Sequence, residues 1–326
     1  MSDTEDAPET PADTVFVPPS VHHETILTGR SYTHTSPIPP TVTPNSTLCI
    51  LGVDEAGRGP VLGPMVYAVA YAPLDVCDKT LKSYSFDDSK KLTAAFRAEL
   101  MTNICDGGHE LGKMLGWSVR VMSPQGISSG MLRHRGMGAY NLNAQAHDTT
   151  IQLIKDVIAS GVVVKEIYID TVGPPATYQS KLQRLFPSAT VTVSKKADSL
   201  YPIVSAASVV AKTTRDACLE VSLPPPTASP TTAAPAIAAV GSGYPSDPNT
   251  VAWLKRNKDP VFGWPGSIAR FSWSTTKDLL EKKGGVPVEW AEEDEEGNGN
   301  IVGYFGGGKQ AGVVGGWFGR SCGVDF

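Results

Sequence analysis

Apolar positions in this chain fall into short continuous or alternating runs, separated by segments with a helical period. Leu48 to Val53 is an apolar run closed by two carboxylates, Asp54 and Glu55, which predicts a buried strand over 48–54. Met65 to Tyr71 alternates and follows through a Gly/Pro turn, so it reads as the antiparallel neighbour. Trp117, Val119 and Val121 alternate with Ser118 and Arg120 and predict a third strand. Residues 93–105 and 143–160 carry helical periodicity; in the second, Ile151, Ile154 and Ile158 share a face and Gly161 follows as a C-cap. Strands are expected over 163–171 and 190–194, and a small-residue helix runs from Pro202 to Glu220, with Ser199 a nearby cap. Asp247-Pro248 starts a further helix with Trp253 and Leu254 on its apolar face, and a last one covers 274–283. Strands alternating with helices make this an α/β chain.

The flanks lack such patterning. Residues 1–45 are rich in Pro, Thr and Ser and read as a disordered tail. Residues 223–240 hold five prolines among Ala, Thr and Ser and read as a disordered insertion. From 291 to 326 an acidic run, Glu292 to Glu296, gives way to glycines, a second disordered tail. That leaves one domain over 46–290.

Charge changes the picture once it is divided this way. The 326 residues carry a net charge of −5, but each tail holds six acids, and 46–290 keeps 25 basic against 21 acidic residues, about +4. A mildly basic body with acidic tails is compatible with nucleic acid. Five widely spaced cysteines without a Cys-x-x-Cys suggest reduced thiols in an intracellular protein. No run is long and apolar enough for a membrane span, and the acidic N-terminus is unlike a signal or transit peptide.

Three apolar segments end at or just before an acid: Asp54-Glu55, Asp170 and Asp198. In α/β sheets ligands gather at such strand ends. Four acids packed together need a cation, and oxygen ligands suit Mg²⁺. A regular strand sends Asp54 and Glu55 to opposite faces. For both to reach one ion the strand must end or twist near Asp54, as Gly57 and Gly59 permit. Gly57-Arg58-Gly59 lets backbone N–H groups approach a ligand, with an arginine suited to phosphate. Lys90 and Lys91 follow Asp88-Ser89 before a helix start and offer a phosphate pocket. Taken singly, each of these residues is at least as readily a cap, a turn or a solvated charge. His22-His23, His109, His134 and His147 form no ligand spacing and read as ordinary.

Together the motifs resemble the type 2 ribonucleases H, in the form of the catalytic subunit of the eukaryotic enzyme. Asp54-Glu-Ala-Gly-Arg-Gly59, Asp88-Ser-Lys-Lys-Leu92, Tyr140-Asn-Leu-Asn143, Asp170-Thr-Val-Gly173, Lys196-Ala-Asp198, Ser205 to Lys212, Gly241-Ser-Gly-Tyr-Pro245 and Phe271-Ser-Trp273 carry the likeness in family order. The resemblance implies an RNase H-like fold, a mixed central sheet flanked by helices with a C-terminal helical extension. It implies Asp54, Glu55, Asp170 and Asp198 as catalytic acids for two divalent ions, Mg²⁺ or Mn²⁺. It implies that Gly57, Arg58 and Gly59 read the ribose 2′-OH, a mark of RNA, and that Tyr244 stacks on the sugar at the RNA-to-DNA junction. Lys90, Asn141 and Arg270 are substrate or phosphate contacts on the same grounds, with a structural role for Arg270 equally open. The implied reaction is hydrolysis 5′ of a ribonucleotide, in an RNA/DNA hybrid or embedded in duplex DNA, leaving 3′-OH and 5′-phosphate ends. The implied setting is the nucleus, in a heterotrimer with two non-catalytic subunits and no membrane. A catalytically dead reader of hybrids fits less well, since it has no need to concentrate acids near phosphates. Two departures from the pattern stand out: the insertion at 223–240, where a longer helix is expected, and the tail after 291.

Overall fold

Leu48–Ala56 and its neighbours carry out the expected pairing. Strands β1 (Tyr32–Thr35), β2 (Leu48–Ala56), β3 (Met65–Pro73), β4 (Gly116–Met122), β5 (Val163–Asp170) and β6 (Thr190–Ser194) form one sheet in the order β1-β4-β3-β2-β5-β6. The β1–β4, β4–β3 and β3–β2 pairs are antiparallel; β2–β5 and β5–β6 are parallel. The structure is a computed structural model, and it describes residues 16–75, 77–86, 92–133, 140–171, 174–223 and 240–282. The helices are α1 (His23–Leu27), α2 (Cys77–Ser83), α3 (Ala94–Cys105), α4 (Glu110–Met114), α5 (Pro124–Met131), α6 (Leu142–Ala159), α7 (Pro175–Leu185), α8 (Pro202–Ser222), α9 (Pro248–Arg256) and α10 (Ser274–Glu281). This is the mixed sheet with flanking helices that the sequence implied.

The two-residue period of β2 and β3 sorts their side chains onto two cores. Ile50, Val66, Ala68 and Ala70 face α8, where Ile203, Val204, Ala207 and Val210 meet them. Cys49, Leu51, Val53, Tyr67 and Val69 face Leu153, Ile154 and Val157 of α6 and Leu182 of α7. Both faces are covered, so β3 is buried along its whole length. Gly52 permits the close seat of α8: a β-carbon there would stand 2.5 Å from the Ile203 carbonyl. A third apolar cluster joins Val61 and Leu62 to Trp253 and Leu254 of α9 and Leu279 of α10, forming the C-terminal helical part.

The tail expected to be disordered over 1–45 is built otherwise from residue 16 onward; residues 1–15 lie outside the described residues. β1 pairs with β4 from Tyr32↔Val121 to Thr35↔Ser118, Tyr32 Oη donates to the Ser20 carbonyl at 2.8 Å, and the Ser20 and Thr214 hydroxyls bond at 2.8 Å. The segment has few apolar residues, but Ile26, Tyr32 and Val42 are all buried. Its partners are distant in sequence, which is why local periodicity does not reveal it. Of the insertion at 223–240, Leu223 and Val240 belong to the third cluster and the residues between lie outside the described ones, as do Lys90 and the tail from 291. Ser199 does not cap α8; the N-cap residue is Tyr201, without a side-chain bond.

Candidate active site

Strand register places the acids. Val53 lies beside Ile169 in the parallel β2–β5 pair, so Asp54 and Asp170, one residue further along each strand, are neighbours. Asp170 in turn sits opposite Ser194 of β6. After β6 the chain reverses through Lys196, which has a left-handed φ of +57°, and a 3₁₀ turn, Ala197–Ser199, brings in Asp198. The Ala197 N–H donates to Asp170 Oδ1 at 3.0 Å. Asp54 and Asp198 are 5% and 1% exposed, whereas Glu55 and Asp170 are half-buried.

β2 does not end at Asp54, as expected for two carboxylates meeting one ion. The ladder continues with Asp54↔Ala68, Glu55↔Tyr67 and Ala56↔Val66, because β3 stays in register to the turn. The two acids therefore leave on opposite faces. Asp54 lies on the α8 side and bonds the Ser208 hydroxyl, while Glu55 lines a cleft with Asp170, Tyr67 and Tyr178. Burial holds the Asp54 carboxyl well above the usual carboxylate range, and the nearby charges of Glu55 and Asp170 add to the rise.

The Gly57-Arg58-Gly59 turn follows directly. Gly57 has a φ of +78° and no room for a side chain, since a β-carbon would stand 2.6 Å from the Pro64 carbonyl. Arg58 donates to the Tyr67 hydroxyl at 3.4 Å and to the Asn143 side-chain oxygen, so its guanidinium lies along the cleft wall. The ring of half-exposed Tyr244 lies against Gly59, where a β-carbon would stand 2.9 Å from Cε1. The turn before Tyr244 is fixed by the Gly243 carbonyl, which accepts from Val61 N at 2.8 Å, and by Asp247, whose carboxylate caps α9 and bonds Ser242.

Arg270 resolves toward the structural alternative. It is fully buried and donates from Nε to Gly63 O at 3.0 Å and from its two terminal nitrogens to Arg58 O and Gly57 O. Burial and neighbouring Arg215 push its pKa down to about 9, which keeps it cationic at neutral pH. Asn141 caps α6 through Oδ1, accepting from Ala144 N at 3.0 Å, while Asn143 is the residue that meets Arg58. Lys90 lies outside the described residues.

The opposite wall corrects the reading of His147 as ordinary and gives Asn143, named above only within a motif, a place in the cleft. Asn143, His147 and Thr150 recur at helical spacing along α6 and all line the cleft; that spacing was the available signal. The His147 ring stacks on Tyr178 with centroids 3.9 Å apart, and burial, then Lys181, lowers its pKa and favours the neutral imidazole. Burial likewise raises the Tyr178 phenol to about 12.

The donor set suits a hard divalent cation: every acid offers oxygen, and the repulsion from Glu55 and Asp170 that adds to the effect of burial on Asp54 is what a cation relieves. Among the described residues no three acidic, His or Cys side chains converge into a ready-made ion cage. The acids are gathered by strand register but not closed on a point; it is by the chemistry of the donor set that they fit.

Comparison with known proteins agrees with this geometry. The family model for ribonuclease HII matches residues 51–276. A ribonuclease H2 subunit from Neurospora crassa is 52% identical over 316 residues, covering 95% of this chain and 96% of that one. The corresponding ribonuclease H2 subunit from Schizosaccharomyces pombe is 51% identical over 289 residues, covering 86% and 82%. The crystal structure of the ribonuclease H2 from Pyrococcus horikoshii OT3 superposes with a TM-score of 0.55 at 30% identity, covering 72% of this chain and 98% of that one. The chain belongs to the ribonuclease HII family, whose members are ribonucleases H, hydrolases acting on RNA in RNA/DNA hybrids. Within that family its likeness is to the catalytic subunit of the eukaryotic ribonucleases H2.

Proposed function

We propose that this chain is the catalytic subunit of an endonuclease that cuts the RNA strand of hybrids and also the bond 5′ of a single ribonucleotide in duplex DNA. The observation that carries the reading is the juxtaposition of two things. Asp54, Glu55, Asp170 and Asp198 gather at the ends of β2, β5 and β6, and the Gly57–Gly59 turn with Tyr244 against it stands beside them. The acids would hold two divalent cations, Mg²⁺ or Mn²⁺, which when bound supply an activated water and stabilise the leaving oxygen. The chain's own part is to present those carboxylates, seat the ribose against the turn and abut the next sugar with Tyr244. Water delivered in this way leaves a 3′-OH and a 5′-phosphate.

Two expectations about setting belong to the same reading: docking with two non-catalytic subunits, and residence in the nucleus. The likeness to chains that are themselves subunits of ribonuclease H2 supports the first.

The test is cleavage of a uniform RNA/DNA hybrid by the full chain with Mg²⁺, with Mn²⁺ and with a chelator, followed by end-group analysis. Cation-dependent cutting with 3′-OH and 5′-phosphate ends is expected. Cyclic phosphate ends, which arise when the 2′-OH itself attacks, would contradict it.

A further inference from the structure

Arg270 and Trp273 take every carbonyl of the Gly57-Arg58-Gly59 turn. Arg270 donates to Gly57 O at 2.5 Å and to Arg58 O at 3.1 Å, and the Trp273 indole N–H donates to Gly59 O at 3.1 Å. The guanidinium also lies over the Trp273 ring, 4.7 Å from its centroid, so the two side chains brace one another. A second anchor holds the segment in place: Arg270 N donates to Val61 O, and the Thr276 hydroxyl bonds the carbonyls of Arg270 and Trp273.

The direction of these bonds decides what the turn can offer. A trans peptide is planar, with C=O and N–H on opposite sides. Drawing the Gly57 and Arg58 carbonyls inward therefore turns the N–H groups of Arg58 and Gly59 outward. Neither N–H has a hydrogen-bond partner among the described residues. The next residue, Pro60, has no N–H to add. What remains outward is a pair of adjacent donors, bordered at Gly59 by the Tyr244 ring.

We propose that Arg270 and Trp273 are the positioning residues of sugar selection: by taking all three carbonyls they make the turn a donor-only reader that pairs with the lone pairs of a ribose 2′ oxygen. A deoxyribose in the same place leaves both donors desolvated and unpaired, a loss that hydrogen-bonding sites use to reject analogues. Neither residue touches the substrate. The inference deepens the proposed nuclease reading and rests on it.

The experiment uses the full chain, purified in its native assembly through a tag. Trp273→Phe keeps a ring under Arg270 and removes the indole N–H together with the second ring; Arg270→Lys keeps the cation and removes the fork. Each is assayed for kcat and KM on a duplex with one ribonucleotide and on the same duplex with a 2′-fluoro nucleotide, which keeps the sugar's electronegativity but is a poor acceptor. Thermal melting is followed alongside. Trp273→Phe packs less of a ring against its apolar neighbours and is expected to stay folded with a lower melting temperature, and to compress the ribo-to-fluoro ratio of kcat/KM by about three- to tenfold, the effect of one net hydrogen bond. A purely structural role would slow both substrates together. An unchanged ratio in folded Trp273→Phe overturns the proposal even if Arg270→Lys fails to fold. If the parent cuts neither duplex, the nuclease reading itself falls, and this proposal with it.

Discussion

Asp170 and Ala197 are joined by a 3.0 Å hydrogen bond in which the Ala197 N–H donates to Asp170 Oδ1. The bond ties the end of β5 to the 3₁₀ turn that carries Asp198, so one carboxylate both belongs to the site and sets the position of the next.

Asp170 therefore has two separable roles. Asp170→Asn keeps an acceptor for Ala197 and should fold normally while activity drops at least about a hundredfold, as the proposed role of Asp170 in holding a cation requires. Asp170→Ala loses the acceptor as well and should also cost about 1–3 kcal/mol, the penalty for leaving a buried donor unpaired. Activity assays with urea unfolding of both variants separate the effects.

Asp54 sits where a carboxylate charge is costly. It is buried beside Glu55 and Asp170, and its charge is disfavoured there. Asp54→Asn keeps the shape and removes the charge, so in chelator at neutral pH it should melt above the parent by several degrees, a shift corresponding to about 1 kcal/mol or more. Adding Mg²⁺ should raise the melting temperature of the parent and move the variant little. Differential scanning calorimetry with and without Mg²⁺ checks both.

The two glycines of the turn should respond differently. At Gly57 a β-carbon meets the Pro64 backbone and the φ is +78°, so Gly57→Ala should destabilise by about 1–3 kcal/mol. At Gly59 the obstacle is the Tyr244 ring, which can swing away. Gly59→Ala should fold as the parent does, yet lose preference for a ribonucleotide followed by DNA. Chemical unfolding and paired kcat/KM values on junction and uniform hybrid substrates distinguish them.

Asp247 makes the turn before Tyr244 sensitive to acid. Bonds from Ser242 and from Asn249 N hold its carboxyl below the usual range. A depressed folded pKa contributes stability above the ordinary Asp value of about 3.9, and that stability is lost as pH falls through the lower folded value. Amide protection at Ser242 and Asn249 should be high at neutral pH and collapse in that acid window. In Asp247→Ala it should be low throughout, as hydrogen exchange would reveal.

Far from the cleft, Tyr32 anchors the N-terminal segment through its hydroxyl. Tyr32→Phe should lower stability by about 1 kcal/mol in urea unfolding and leave kcat on a hybrid unchanged.

The sheet was legible because β2, β3 and β4 declare themselves by runs and alternation, and α6 by its apolar face. That the acids lie along or just after neighbouring strands was legible from residue type; the roles proposed for them and for the turn rest on the ordered family motifs. What escaped depends on contacts between distant residues. Residues 16–45 gain their structure from β4 and α8, so their own composition points to disorder. The sequence pattern of β2 does not show where its ladder stops; β3 decides that, and carries it past Asp54 to Ala56. Arg270 and Trp273 stand more than two hundred positions from the carbonyls they hold, and nothing local distinguishes such an arginine from a phosphate contact.

The most direct measurement of the central claim is cleavage, in Mg²⁺, of a DNA duplex holding one ribonucleotide beside an all-DNA duplex, with Asp54→Asn in parallel. The account predicts a single cut on the 5′ side of the ribonucleotide, none in the all-DNA duplex, and none by the variant. Equal cutting of both duplexes, or tight binding by a folded parent that cuts neither, would contradict it.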